Sequence, residues 1–317
     1  MQRDKSLDIA KGIAIIFVMY GHLKYTEVDM DTMYCWIYSF HMPFFVYISG
    51  LLMRVNKDHR WHRILQKLKR IVVPYFLANV AGYIINRIFH IESHTIYQFI
   101  HGIVIGDNLA SNLPTWYLMS YFWIFLFGLF VLPYIDDVKK LIVADIISML
   151  LVFCVAYMPG IPDYFRIKGT LVLLPFFITA YLMKKGGIKI TWWMSILLLI
   201  IGFVAGRLNG MRSWRYITVG NGDVCIPYLY LIAAMTTCVA MIEICKYLSK
   251  YPMADIFATF GRYSMMILCT HWVLGNVFAQ YMEYGMKLFV IVFVIESGLI
   301  GTGEMINRQR KQREARV

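Results

Sequence analysis

Apolar runs of about 17–22 residues recur from one end of the chain to the other, and a run of that length is what a helix needs to cross a bilayer. They fall at roughly 8–25, 33–53, 71–90, 115–135, 140–158, 168–183, 191–206, 225–243, 262–281 and 286–306 of the 317 residues. In hydrocarbon, backbone polar groups must be satisfied within the spanning element, which makes each run a helix. The composition agrees, with 59% hydrophobic residues, 16% charged residues and mean hydropathy +0.59. A soluble domain of this size has to wet its exterior and needs far less apolar surface. The expected fold class is therefore an all-α integral membrane protein of about ten transmembrane helices.

The net charge of +12 then reads as anchoring to membrane lipids, not as nucleic-acid binding. Basic residues cluster between apolar runs: Arg54 to Arg70, Lys139-Lys140, Lys184-Lys185, Lys246 with Lys250, and the tail from Arg308 to Arg316. The positive-inside rule places these segments, and with an even number of spans both termini, in the cytoplasm. The first run lacks a small-residue cleavage site and is read as a retained helix, not a signal peptide. No repeat or Pro/Gly linker divides the chain. It is read as one domain over 1–317, with a membrane core at 1–306 and a basic cytoplasmic tail at 307–317, in a bacterial cytoplasmic membrane. The six cysteines have no metal-ligand spacing and mostly sit in apolar runs, as buried free thiols do. No metal is expected.

Charged groups at membrane depth cost roughly 2.5–3.5 kcal/mol each on insertion scales, so those inside spans face protein or water. The first run carries Asp8, Lys11 and His22. The eleven residues from Lys11 to His22 amount to about 1100° of helix, about 20° from a whole number of turns, so both share one stripe about 16 Å long. Asp8 borders the same face as an orienting residue. His41 lies in the second run, and Pro43 two residues later frees a carbonyl and favours a kink. His271 lies in the ninth run, nine residues after Arg262. Three histidines lie deeper than an inner ring of Lys11, Arg70 and Arg262, which a phosphate-rich ligand entering from the cytoplasm would meet first.

One outer loop, Arg207 to Asp223, departs from its neighbours by holding Arg212, Trp214 and Arg215 together. Guanidinium groups beside aromatic faces suit sugars and carboxylates, which makes it a candidate acceptor lip. The segment 93–114, with His94, His101, Asp107 and Asn108, is a second. Trp116 reads equally as an interfacial anchor and as a site residue, and Ser264 as a helix cap. No GxSxG, Walker A, HExxH or GxGxxG pattern occurs, which argues against hydrolase, nucleotide-phosphatase, zinc-protease and Rossmann readings.

Asp8-Ile9-Ala10-Lys11-Gly12, Gly21-His22, and Phe40-His41-Met42-Pro43-Phe44-Phe45 with Ser49-Gly50 resemble the membrane-bound acyltransferase 3 family. The branch described as fucose 4-O-acetyltransferase-like is the most similar. The likeness continues through Lys69-Arg70 before Pro74-Tyr75, Trp116-Tyr117-Leu118, and Gly261-Arg262-Tyr263-Ser264 leading to His271. It implies a ten-span O-acyltransferase that moves an acyl group, usually acetyl, from cytoplasmic acyl-CoA to a hydroxyl of an extracytoplasmic glycan or lipid-linked sugar. The family's first-span signature is an arginine followed eleven residues later by the catalytic histidine. This chain has Lys11 and His22 at those positions, which keeps the charge but loses the bidentate fork.

On this resemblance His22 is the expected general base, oriented by an unassigned carboxylate. His41 or His271 would contact the oxyanion or leaving thiol, and Lys11, Arg70 and Arg262 would hold the phosphates of acetyl-CoA. Trp116, Arg212, Trp214 and Arg215 would bind the acceptor. Direct transfer and a covalent acyl-enzyme both remain open. The competing class is a proton-coupled transporter of a small polar or sugar solute, against which stands the lack of an inverted repeat.

Overall fold

The computed structural model describes residues 4–24, 32–55, 60–91, 94–106, 111–158, 160, 163–213 and 217–314. Its helices are α1 (Lys5–Lys24), α2 (Thr32–Leu52), α3 (Arg60–Lys67), α4 (Val73–Ile88), α5 (Ile96–Ile105), α6 (Trp116–Phe130), α7 (Leu132–Ile135), α8 (Val138–Tyr157), α9 (Ile167–Lys185), α10 (Trp192–Ser213), α11 (Pro227–Leu248), α12 (Asp255–Arg262), α13 (Ser264–Phe278) and α14 (Met286–Glu314). A π-helical turn, Leu68–Val72, joins α3 to α4 without interruption, and Pro74 follows it in the first turn of α4. Pro43 lies inside α2, which continues through it. Among the described residues the only β-type pairing is a single bridge between Thr218 and Asp223.

Nine helical stretches among the described residues are long and apolar enough to cross a membrane. The difference from ten lies in the ninth run. Only 15 residues of it, α13, form one helix: Tyr263, at φ −101° and ψ 9°, parts α13 from the eight-residue α12, which lies almost wholly before the run, and α13 ends at Phe278. The segment 93–114 holds a further short apolar helix, α5. A Thr95–Gln98 capping box starts it and Gly106 ends it at φ 79°.

Burial separates two layers. Within the protein, 72% of the apolar stretch of α2 and 67% of that of α1 are buried, against 28% for α8 and α10 and 17% for α14. The outer helices expose Ile196, Leu197 and Ile200 on α10, and Val290 and Val294 on α14, as lipid-facing surfaces do. Cys35, Cys238 and Cys245 are buried as expected, but Cys154 is exposed on α8.

Inside, small residues and polar ties replace the hydrophobic drive that is absent between helices in lipid. At the start of α1, a Cβ on Gly12 would overlap the Phe257 carbonyl of α12, and a Cβ on Gly261 would overlap the Asp8 carbonyl. The two backbones therefore touch directly. Thr179 of α9 donates to Asp145 of α8 at 2.8 Å, and Thr270 of α13 to Glu296 of α14 at 2.5 Å. The fully buried Asn79 of α4 donates to the Tyr75 carbonyl (2.9 Å) and Thr115 (2.8 Å) and accepts from the Asn112 N–H (3.0 Å). Asn112 in turn donates to the Cys269 carbonyl at 2.7 Å. This network fixes the turn that delivers Pro114 and Trp116.

Candidate functional site

A cavity of about 650 Å³ opens among the histidine-bearing helices and the loops beside them. His22 of α1, His41 and Tyr38 of α2, Trp116 of α6 and Trp272 of α13 line it. Arg166, Asn221 and Tyr284 complete its polar wall.

The histidines meet because three helices converge on this point. His22 Nδ1 lies 2.9 Å from His271 Nε2, with the ring planes 10° apart. The His22 ring centre is 6.1 Å from that of His41, at right angles, and 5.5 Å from that of Trp272. His271 is fully buried, and its Nδ1 faces the Ile267 carbonyl at 2.6 Å. His41 Nδ1 faces the Ile37 carbonyl at 2.7 Å.

These contacts fix the protons. A carbonyl oxygen only accepts, so Nδ1 of His271 and of His41 must carry the hydrogen. In the neutral ring, His271 Nε2 is then an acceptor, and the hydrogen between it and His22 belongs to His22 Nδ1. That leaves a lone pair on His22 Nε2. Two successive hydrogen bonds thus prepare a proton acceptor at the cavity wall. The partner is an imidazole where a carboxylate was expected. By the same rule, neutral His41 presents a lone pair at Nε2. It can orient a hydroxyl, but it has no hydrogen there to offer an oxyanion.

The cations expected to form an inner ring lie elsewhere, and none of them lines the cavity. Lys11 pairs with Asp8 at 3.2 Å. Arg262 pairs with Glu304 at 3.0 Å and donates to Thr259 at 3.0 Å. Arg70 is exposed on the π-helical turn. Lys5 pairs with Asp255 of α12 at 2.5 Å, so α1 and α12 share a charged end away from the histidines. Ser264 opens α13, seven residues before His271, and does not line the cavity.

On the acceptor side, Trp116 stands in the cavity wall. Trp214, Arg215 and the side chain of Arg212 lie outside the described residues, as do Asp107 and Asn108. The neighbouring Ile217 to Asn221 does line the cavity. Sequence reading missed Tyr38, Arg166, Trp272 and Tyr284, while Asn221 belongs to the outer loop already read as an acceptor lip. Trp272 follows a selected histidine, and Arg166 stands in an outer loop otherwise poor in cations, which were the available signals. Tyr38 lies three residues from His41 on the same helix face, a spacing that was there to use.

Among the described residues no group of three or more His, Cys, Asp or Glu side chains could hold a metal ion. No curated protein and no solved structure matches the chain. The family model described as an acyltransferase domain matches residues 4–301, so the chain belongs to the acyltransferase 3 family and is a membrane acyltransferase.

Proposed function

We propose that the protein is an O-acetyltransferase that takes the acetyl group from cytoplasmic acetyl-CoA and places it on a hydroxyl of an extracytoplasmic glycan or lipid-linked sugar. The observation that carries this reading is the Ile267–His271–His22 chain, which leaves an unprotonated imidazole nitrogen at the wall of a cavity with aromatic faces. A sugar hydroxyl is a weak nucleophile near neutrality and needs a base of this kind as attack begins.

In the reaction, His22 Nε2 takes the proton as the acceptor oxygen bonds to the thioester carbon. The oxyanion then collapses, the carbon–sulfur bond breaks, and the imidazolium returns its proton to the CoA thiolate. No proton is gained or lost overall. His271 holds the ring of His22 and stabilises the cation that forms on it, as the buried partner does in hydrolase triads. His41 accepts from and orients a hydroxyl of the acceptor. Lys11, Arg70 and Arg262 remain the candidates for the CoA phosphates. Lys11 stands about 16 Å from His22 along α1, so phosphates held there leave an extended thiol arm to span the rest. The basic loops favour cytoplasmic termini in a bacterial cytoplasmic membrane.

The test is release of free CoA from acetyl-CoA by the full chain in nanodiscs, with and without a cell-envelope glycan extract. Release that needs the extract and disappears in His22→Ala is expected. Equal release by wild type and His22→Ala would remove His22 from the mechanism. No release and no binding of acetyl-CoA would return the transporter reading to first place.

A further inference from the structure

Two imidazole nitrogens in the cavity wall accept a hydrogen from no group among the described residues. Nδ1 of His22 is engaged with His271 at 2.9 Å, and Nδ1 of His41 with the Ile37 carbonyl at 2.7 Å. Each ring therefore keeps the lone pair of its Nε2 free of those contacts. Neither Nε2 has a hydrogen-bond partner among the described residues, and neither is buried out of reach, so both meet the open space of the cavity.

The count of hydrogens then constrains the ligand. A hydroxyl carries one hydrogen and donates it to one acceptor. The hydroxyl that gives its proton to His22 cannot also satisfy His41, so the second lone pair requires a second hydroxyl. Tyr284, across the wall, already donates to Asn276 Oδ1 at 3.3 Å. Tyr38 meets His41 through the ring edge, with centres 5.0 Å apart, and stacks on Tyr34 at 4.1 Å.

The spacing suits two hydroxyls of one sugar ring. The centres of the His22 and His41 rings are 6.1 Å apart, with the planes at right angles. With ring nitrogens about 1 Å from those centres and hydrogen bonds of about 2.8 Å, the two acceptors reach oxygens about 3 Å apart, the separation on adjacent sugar carbons. The surrounding wall is aromatic. A Cβ on Gly220 would stand 2.7 Å from the Trp116 ring, so the outer loop packs directly onto the indole, and Trp272 stands edge-on to His22. Flat faces seat the carbons of a ring, while a few polar groups fix which hydroxyls point where.

We infer that the acceptor is a vicinal diol: a sugar with free hydroxyls on two adjacent ring carbons, one at His22 Nε2 and its neighbour at His41 Nε2. This deepens the acyltransferase proposal and rests on its reading of the cavity as the acceptor site. The hydroxyl at His22 gives up its hydrogen as its oxygen bonds to the acyl carbon, and that proton passes to the CoA thiolate. The neighbour keeps its hydrogen throughout and leaves as a free hydroxyl beside the new ester. A sugar without the neighbour strands the His41 lone pair in a desolvated site, and sites built around a hydroxyl reject analogues that lack it.

The test uses methyl glucoside and methyl galactoside, each with its 2-, 3- and 4-deoxy forms, and the full chain in nanodiscs. Only the 3-deoxy form has no two ring hydroxyls on adjacent carbons. Binding is followed by tryptophan fluorescence without acetyl-CoA, and CoA release is measured separately. In at least one series, the 3-deoxy form and at least one of the other two are expected to bind about tenfold or more weakly than the parent. His41→Leu removes the lone pair and brings one of the weakened forms within about threefold of the parent, while the form that lacks the reacting hydroxyl stays weak. His41→Asn, whose amide can still donate to the Ile37 carbonyl but does not extend to the Nε2 position, serves if His41→Leu does not fold.

The inference is overturned if the 3-deoxy forms bind like their parents, if only one deoxy form of a series is weakened, if every loss survives the His41 variant, or if no glycoside binds. The diol pattern in binding without CoA release from any glycoside would leave the diol seat standing and count against the transferase reading. CoA release as fast from a 3-deoxy form as from its parent would do the reverse.

Discussion

Replacing His271 with leucine removes the acceptor of the His22 Nδ1 hydrogen while filling most of the same buried volume. Two things are lost together: the tautomer of His22 is no longer fixed, and the imidazolium formed during attack has no buried partner. A hydrogen bond to a group that becomes charged contributes about 1.5–3 kcal/mol. At about 1.4 kcal/mol per tenfold in rate, that is a loss of roughly 10–150-fold in kcat. KM for acetyl-CoA should hold, since His271 meets only His22 and the backbone of its own helix in the contacts seen here. General-base catalysis is worth about 10²–10⁴-fold, so His22→Ala should lose more. The decisive measurement is the double variant. If His271 acts through His22, the pair His22→Ala, His271→Leu loses no more activity than His22→Ala alone. Single-turnover CoA release from matched nanodisc samples, with thermal unfolding as the control for folding, gives all four rates. Losses that multiply would refute the relay and give His271 an independent role.

Three further outcomes follow from the packing. Alanine at Gly12 or Gly261 pushes a methyl group into a facing backbone carbonyl, and overpacking of this kind destabilises by about 1–3 kcal/mol, read as a lower unfolding temperature. An unchanged temperature for both variants would mean the backbones do not touch. Asn79→Leu leaves the Asn112 N–H without its acceptor and should destabilise by about 1–3 kcal/mol, with weakened sugar binding as the Trp116 turn loosens; full retention of both would count against the network. Asp136 lies between α7 and α8. Burial pushes its carboxyl up, but the hydrogen bonds from Lys185 and Tyr181 outweigh that and hold it below the usual carboxylate range. A depressed carboxylate contributes stability that is present above its unfolded value, near 3.9, and lost as pH falls through the folded one. Unfolding temperature measured from pH 6 to pH 2.5 should drop along that limb in wild type and flatten in Asp136→Asn, and identical profiles would refute the assignment.

Spans were legible because run length and the scarcity of charge are set by the bilayer itself. The shortness of α13 was not, since nothing in the apolarity of 262–281 marks the turn at Tyr263 or the end at Phe278. His22, His41 and His271 stood out as imidazoles at membrane depth, and the fold brings them to one point. Their order of hydrogen bonding could not be read, because it depends on which carbonyl each Nδ1 meets. Lys11 and Arg262 read as waiting cations, yet each has an acidic partner, Asp8 at i−3 in one case and the distant Glu304 in the other. Arg166 carried one signal, its place in an outer loop otherwise poor in cations, but not its position in the cavity wall. That position comes from a left-handed turn and from Asn221, 55 residues away, and neither leaves a periodic trace.

Gly12 and Gly261 each stand ten positions before a histidine of the 2.9 Å pair. On the unbroken α1 the ten residues from Gly12 to His22 make an arm of about 15 Å, so a change of about 10° in the angle at which the backbones cross would swing the His22 imidazole by roughly 2.6 Å. That displacement is nearly the length of the hydrogen bond itself. The bare crossing therefore works as the pivot of a caliper arm whose tip is the His22 ring. At that pivot, one methyl group is enough to move the tip. A residue with no side chain, placed far from any substrate, thus sets the tolerance to which the chemistry is machined.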